Sequence, residues 1–291
     1  MIPSSTLTTT QTGSIPGRTT PMTIDQVHMP HIMELLTRAY SDIIAAILRE
    51  YSANAWDSHV AAGITRPIEV RTPNKYHPFL EVEDFGVGMS IDFVETEFSK
   101  YGASTKRTNN KEAGAFGIGG KSALAYTDQF TMVTVKDGVK GEFVIHRNAE
   151  GAAQITLVRE ETTTQGNGTL VSIPAKHNED FDAQVDWFFK FWKPGTVLVD
   201  GEPPRQIKAE KVDEGVFYTP EGNNSYVVMG NIPYRVKNPS NYLPSYFSNF
   251  AFIIDVPMGS VSITPNREDL EYGDQGPIDT LKRVGKGTAR T

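Results

Sequence analysis

Arg49-Glu50-Tyr51-Ser52-Ala53-Asn54-Ala55-Trp56-Asp57 sets a carboxylate, an amide and a second carboxylate at i, i+4 and i+7. In a helix those offsets bring Glu50, Asn54 and Asp57 onto one face. Ile43, Ile44, Ile47, Leu48 and Tyr51 fill an adjoining apolar stripe at helical spacing. Polar groups beside a buried stripe are costly to desolvate, so the pattern points to a cavity that holds something charged. Glu50 can polarise a water there, and Asn54 can offer an oxygen to a hard cation such as magnesium. Taken alone, the same residues also fit an ordinary solvated helix face.

Two further segments weigh against that plain reading. Glu81-Val82-Glu83-Asp84-Phe85-Gly86-Val87-Gly88-Met89 reads as a strand ending in a carboxylate and two glycines. Glycines take positive φ without penalty and let a backbone come close to a flat ligand. A buried Asp84 at that point can accept a hydrogen bond from an exocyclic amine; adenine offers such a donor there and guanine an acceptor, which favours ATP over GTP. Downstream come Gly102-Ala103-Ser104-Thr105-Lys106-Arg107 and then Gly114-Ala115-Phe116-Gly117-Ile118-Gly119-Gly120-Lys121-Ser122-Ala123-Leu124. A glycine-rich turn opening into an apolar helix presents free N–H groups to an anion. One such turn is a weak signal, but the three elements in this order are specific.

These residues resemble the GHKL ATPase superfamily of gyrase, the ninety-kilodalton heat-shock chaperone, histidine kinases and MutL. Residues 49–57 resemble its N-box, 84–89 its adenine-binding glycine motif and 114–122 its second glycine motif. Gly168-Thr169 resembles the late Gly-Thr strand that completes the adenine pocket. Within the superfamily, residues 31–59 and Tyr101-Gly102-Ala103-Ser104-Thr105-Lys106 are most similar to phage rIIA-type proteins. The resemblance covers roughly residues 25–175 and extends more loosely to about 272.

The resemblance implies an α/β (α+β) fold of the Bergerat type. That is a two-layer sandwich of a mixed, mainly antiparallel sheet covered by helices, with a smaller second α/β domain. It also implies ATP and Mg²⁺ as cofactors. Glu50 is then the general base for the attacking water and Asn54 the protein ligand to the metal, with Asp57 supporting the site through hydrogen bonds. Asp84 binds the adenine amine, with Gly86, Gly88, Met89 and Thr169 around the base. The loop from Lys106 to Gly120 is the ATP lid, with Gly114, Gly117, Gly119, Gly120 and Ser122 at the phosphates and Lys106 and Lys121 as their neighbours. For each lysine the alternative is a solvated surface charge. Arg49 either pairs with Glu50 or faces solvent.

Residues 255–270 carry a second signal, ending in Thr264-Pro265-Asn266-Arg267-Glu268-Asp269-Leu270. It resembles the Ser-Arg-Glu-x-Leu loop of the chaperone's middle domain, with Asn266 standing where the chaperone has serine. The resemblance implies that Arg267 reaches the terminal phosphate, where a guanidinium stabilises developing charge. A helix start with Arg267 in a structural ion pair is the competing reading.

Composition bounds the rest. The chain has 291 residues, a net charge of −7, 38% hydrophobic residues and no cysteine. One or two domains are expected, and thiolate metal sites and disulfides are excluded. Without a long basic run, binding to nucleic acid through phosphate neutralisation is disfavoured. Lys100, Lys106, Arg107 and Lys111 cluster instead around the expected lid. No signal peptide or spanning apolar run is evident, so a cytoplasmic protein (host cytoplasm if phage-encoded) is expected. His28 and His31 lack the partners a zinc site needs.

Along the chain, residues 1–22 read as a flexible or partner-crossing arm, 23–200 as the ATP-binding domain and 201–291 as the second domain. A helix near 31–40 gives way at Ser41-Asp42 to a longer helix that Gly63 ends. Residues 67–71 and 79–83 alternate as strands, and 129–174 read as a meander with turns at Asp137-Gly138 and Ala149-Glu150-Gly151. An aromatic helix over 180–192 belongs to the core. The functional expectation is a slow, Mg-dependent ATP-hydrolysing switch, with ATP-driven pairing of two copies as one mode of action. The alternatives are a non-hydrolysing nucleotide-binding interaction module and a DNA-processing ATPase like MutL or a topoisomerase subunit. A histidine kinase would need a phospho-acceptor helix in the roughly 48 residues before the N-box, which read as mostly unstructured.

Overall fold

The computed structural model describes residues 40–100, 119–237, 251–261, 263–264 and 268–270. Its first long element is α1 (Ile43–Ala62), begun by the Asp42 side chain, which accepts from the Ala45 N–H at 3.0 Å. Gly63 closes it with φ of 68°, and its N–H bonds back to the last turn. The helix expected from periodicity and caps is therefore present with both ends where the capping residues lie. The N-terminal arm and the helix expected near 31–40 fall outside the described residues, apart from Tyr40.

A seven-stranded sheet follows, made of β1 (Ile68–Arg71), β2 (Phe79–Asp84), β3 (Gln129–Lys136), β4 (Val139–Arg147), β5 (Ala153–Thr162), β6 (Gly168–Pro174) and β7 (Val197–Val199). Its order is β5-β4-β3-β6-β2-β1-β7, antiparallel throughout except where β7 runs parallel to β1. Asp137-Gly138 makes the β3–β4 turn with both residues at left-handed φ, 49° and 82°. The expected meander holds for β3, β4 and β5 and then breaks. β6 crosses back to lie between β3 and β2, so the strand after β5 becomes the centre of the sheet.

Alternation along the strands decides what the sheet buries. Leu80 and Val82 of β2, Phe130 and Met132 of β3, Phe143 and Ile145 of β4, and Val171 and Ile173 of β6 share one core. Onto it pack Ile47, Leu48, Tyr51 and Ala55 of α1, and α2 (Asp182–Phe189) contributes Val185, Phe188 and Phe189. Each large side chain so buried stabilises the fold by roughly 1.5–3 kcal/mol. The opposite face of β1 and β2 carries Glu69, Glu81 and Glu83, so one layer of helix suffices.

A second sheet comprises β8 (Glu210–Asp213), β9 (Val216–Thr219), β10 (Tyr226–Met229), β11 (Ile232–Arg235) and β12 (Ala251–Val256). The order is β11-β10-β12-β9-β8, with only β10 and β12 parallel. The described residues beyond 201 form strands and turns alone. Val227, Met229, Phe252 and Ile254 join the main core, while Val228 and Ile253 pack with Phe191, just past α2. The aromatic segment after 180 is thus core material, with Trp187 only half-buried at its rim.

Candidate functional site

The inward face of the first sheet is apolar until its end, where three adjacent strands turn polar together. On β2 the alternation Leu80, Val82 continues to Asp84, on β3 Phe130, Met132 continues to Thr134, and on β6 Thr169 precedes Val171 and Ile173. Thr169 pairs in register with Asp84 on one side and Thr134 on the other, so the three form a row across β2, β6 and β3. Asp84 is 7% exposed. Burial pushes its carboxyl up to about 6, opposed by hydrogen bonds from the Gly86 N–H and the Ser58 and Thr169 hydroxyls. An ionised carboxylate has about four lone-pair sites, so it keeps capacity for another N–H donor.

The turn after β2 is held by α1. Asp84 Oδ1 accepts from Ser58 Oγ and from the Gly86 N–H, each at 2.9 Å, and Ser58 Oγ accepts from the Val87 N–H at 3.0 Å. His59 Nε2 accepts from the Phe85 N–H at 2.7 Å, which leaves Nδ1 to donate to the Arg66 carbonyl at 3.0 Å. Burial lowers the His59 pKa and keeps that neutral form. A side chain at Gly86 would overlap Ser58, and one at Gly88, which has φ of 61°, would overlap the Val135 carbonyl. The close approach that these glycines permit is to the protein's own helix and strand. Met89 completes the turn, its N–H donating to Thr134 Oγ1 at 2.8 Å.

Further up α1, Glu50 is 3% exposed, while Asn54 and Asp57 are half-buried on the same face. Facing α1 is a 3₁₀ segment, Gly119–Ala125, in place of the longer apolar helix expected there. Tyr51 Oη donates to the Gly120 carbonyl at 3.0 Å and ties the two together. Gly119 lies so close to Glu50 that a Cβ there would overlap the carboxylate, and Gly120 lies against the Phe98 ring. Ser122 is buried in the same segment. Lys121 is no solvated charge: it is 6% exposed, donates to the Lys100 carbonyl at 3.2 Å and sits 4.7 Å from the centre of the Phe98 ring. Burial draws its ammonium down to about 8.

Two clusters result. Asp84, Gly86, Gly88, Met89 and Thr169 meet at the strand ends, and Glu50, Gly119, Gly120, Lys121 and Ser122 meet along α1, which links the two. Lys106, Gly114, Gly117 and Arg267 lie outside the described residues. Ser58, His59 and Thr134 carry no role in the sequence reading, although they hold the Asp84 turn. Among the described residues, no group of three or more His, Asp or Glu could hold a metal unaided. The oxygen of Asn54 suits magnesium, which takes one or two protein ligands and draws the others from phosphate and water.

A scan for protein families finds no matching family model, and a comparison with curated proteins finds no match in sequence. Solved structures do match. The ATPase region of Saccharomyces cerevisiae topoisomerase II bound to ICRF-187 (dexrazoxane) superposes with a TM-score of 0.64 at 14% identity, covering 93% of this chain and 98% of that one. Another structure of the same region gives 0.63 at 13% identity, covering 91% and 96%. The fold is therefore that of a topoisomerase II ATPase region, the mixed and mainly antiparallel architecture expected from the sequence.

Proposed function

We propose that this chain binds ATP with Mg²⁺, hydrolyses it slowly and acts as a conformational switch of the GHKL type. The observation that carries this reading is the polar row Asp84–Thr169–Thr134 at the end of an apolar sheet face, joined through Ser58 to the helix that bears Glu50. Burial outweighs the donors that Asp84 already has, and the amine of adenine would add a further one.

In this reading Asp84 fixes the base, with Gly86, Gly88, Met89 and Thr169 around it. Glu50 takes the proton of the attacking water, and Asp57 supports the polar face of α1. The backbone of Gly114, Gly117, Gly119, Gly120 and Ser122 meets the phosphates, with Lys106 and Lys121 beside them. Magnesium, held by Asn54, would neutralise phosphate charge when bound. Arg267 would reach the terminal phosphate; Glu268, the next residue, bonds at the N-terminus of α1. Residues 23–200 form the nucleotide-binding domain and 201–291 the second one.

Such switches work through lid movement and partner exchange, so the output is a conformation and pairing of two copies is one form of it. The resemblance of residues 31–59 and 101–106 supports a role as an rIIA-like accessory protein in the cytoplasm of a phage host. No described helix is long and apolar enough to cross a membrane. A DNA-processing ATPase is the second reading, favoured by the topoisomerase II fold match and opposed by the net charge of −7. DNA-stimulated turnover would decide for it.

Titration calorimetry tests the base assignment. The wild type should bind ATP at least about tenfold more tightly than GTP, the worth of about one well-placed hydrogen bond. Asp84→Asn should lose that preference, because an amide can donate to guanine. Equal affinities in the wild type would contradict the assignment.

A further inference from the structure

Consecutive residues near the end of the described chain are fastened to different parts of the fold. The Glu268 carboxylate accepts from the Ser41 N–H at 2.9 Å, from Ser41 Oγ at 2.8 Å and from the Asp42 N–H at 3.4 Å. Asp42 is the N-cap of α1, and its other oxygen accepts from Gln184 Nε2 of α2 at 2.7 Å. Asp269 is bound instead to the second sheet. Its backbone pairs with Arg235 of β11 in a parallel β-bridge, and its carboxylate accepts from Lys237 Nζ, just past β11, at 2.6 Å. The Thr264 N–H donates to its carbonyl at 2.9 Å, Ile263 pairs with Leu270, and Leu270 is buried in the core.

We infer that Glu268 is a positioning residue that couples the second sheet to the placement of Glu50 and Asn54. Its consequence for ATP chemistry rests on the function proposed above, but the mechanical link does not. Glu50 lies eight residues past Asp42, about 12 Å along a continuous helix. Residues 43–62 contain no glycine or proline, so nothing in α1 absorbs a shift of its first turn as a kink. A carboxylate at a helix N-terminus is also favoured by the free N–H groups and the dipole there. Movement of β11 therefore reaches Glu50 through Asp269, Glu268 and the N-cap, over a span of more than 220 residues of sequence.

The alternative is that Glu268 is a local cap and nothing more. Hydrogen exchange on the full chain separates the two. In Glu268→Ala, amides 41–46 should exchange about fivefold faster, the scale of a lost cap. Asp269→Ala, which removes the tie to Lys237 just past β11 without touching Ser41 or Asp42, should quicken the same amides. Steady-state kinetics should show turnover in Glu268→Ala down by about tenfold with ATP affinity within about threefold, the pattern of a misplaced base with an intact base pocket. Glu268→Gln, which keeps an acceptor oxygen, should recover most of it.

Wild-type exchange at 41–46 in Asp269→Ala would overturn the coupling, as would equal losses of affinity and turnover with faster exchange throughout the chain. A wild type that binds no ATP would sink the proposed function, and the exchange comparison would still decide the link.

Discussion

Ser58 Oγ donates to Asp84 Oδ1 at 2.9 Å and accepts from the Val87 N–H at 3.0 Å, so one helix hydroxyl holds both the buried carboxylate and the turn that follows it. The contact joins the polar end of the sheet to the helix that carries Glu50. It also favours the ionised form of Asp84, against the stronger opposing effect of burial.

That balance sets a pH dependence. Asp84 titrates near 6 in the folded chain against 3.8 when unperturbed. Its proton is bound more tightly on folding, so its contribution to stability is fullest below about pH 4 and is lost as pH rises through about 6. Binding runs the other way, because the amine needs an ionised acceptor. Affinity for adenosine, which has no phosphate to titrate, should rise up to about tenfold per pH unit below the midpoint and level off above it. Calorimetry from about pH 5 to 8 checks this. Asp84→Asn should be flat, and Ser58→Ala should move the midpoint upward.

Gly119→Ala tests the packing around Glu50. The nearest atoms the new methyl would meet belong to the Glu50 side chain and not to backbone, so folding should be affected modestly, by about 1–2 kcal/mol. The Glu50 carboxylate would have to swing away. Turnover should fall by about a hundredfold, the scale of a displaced catalytic group, with ATP affinity nearly kept. Unchanged turnover with a normal melting curve would show that Glu50 does not act from this position.

Lys121→Met separates a structural role from a binding one. With its ammonium drawn from 10.5 to about 8, folding favours the neutral amine, so stability rises with pH between those values. The methionine variant should be about 1–3 kcal/mol more stable than wild type at pH 7, with the gap closing above about pH 10. If Lys121 serves the phosphates, ATP affinity should drop by about tenfold while adenosine affinity holds. Parallel melts and titrations give both readings.

Much of the fold was legible because its signals are local. Asp42 and Gly63 bracket α1, and apolar alternation marks β1 to β4. The insertion of β6 between β3 and β2 was not, since periodicity states which face a strand buries and not which neighbour it takes. Thr134 escaped notice because threonine is an ordinary strand residue; its signal lay in sharing the parity of Phe130 and Met132. Ser58 was masked by its neighbour Asp57, which carries the resemblance of residues 49–57. Lysine is almost never fully buried without a partner, so the burial of Lys121 could not be read from its position in a glycine-rich turn.

ATP turnover with Mg²⁺ in the wild-type chain beside Glu50→Ala, with ATP affinity measured for both, decides whether Glu50 is the general base. Slow hydrolysis in the wild type should vanish in Glu50→Ala while ATP still binds. A wild type that binds ATP yet hydrolyses it no faster than Glu50→Ala would contradict that role and leave a nucleotide-binding module without catalysis.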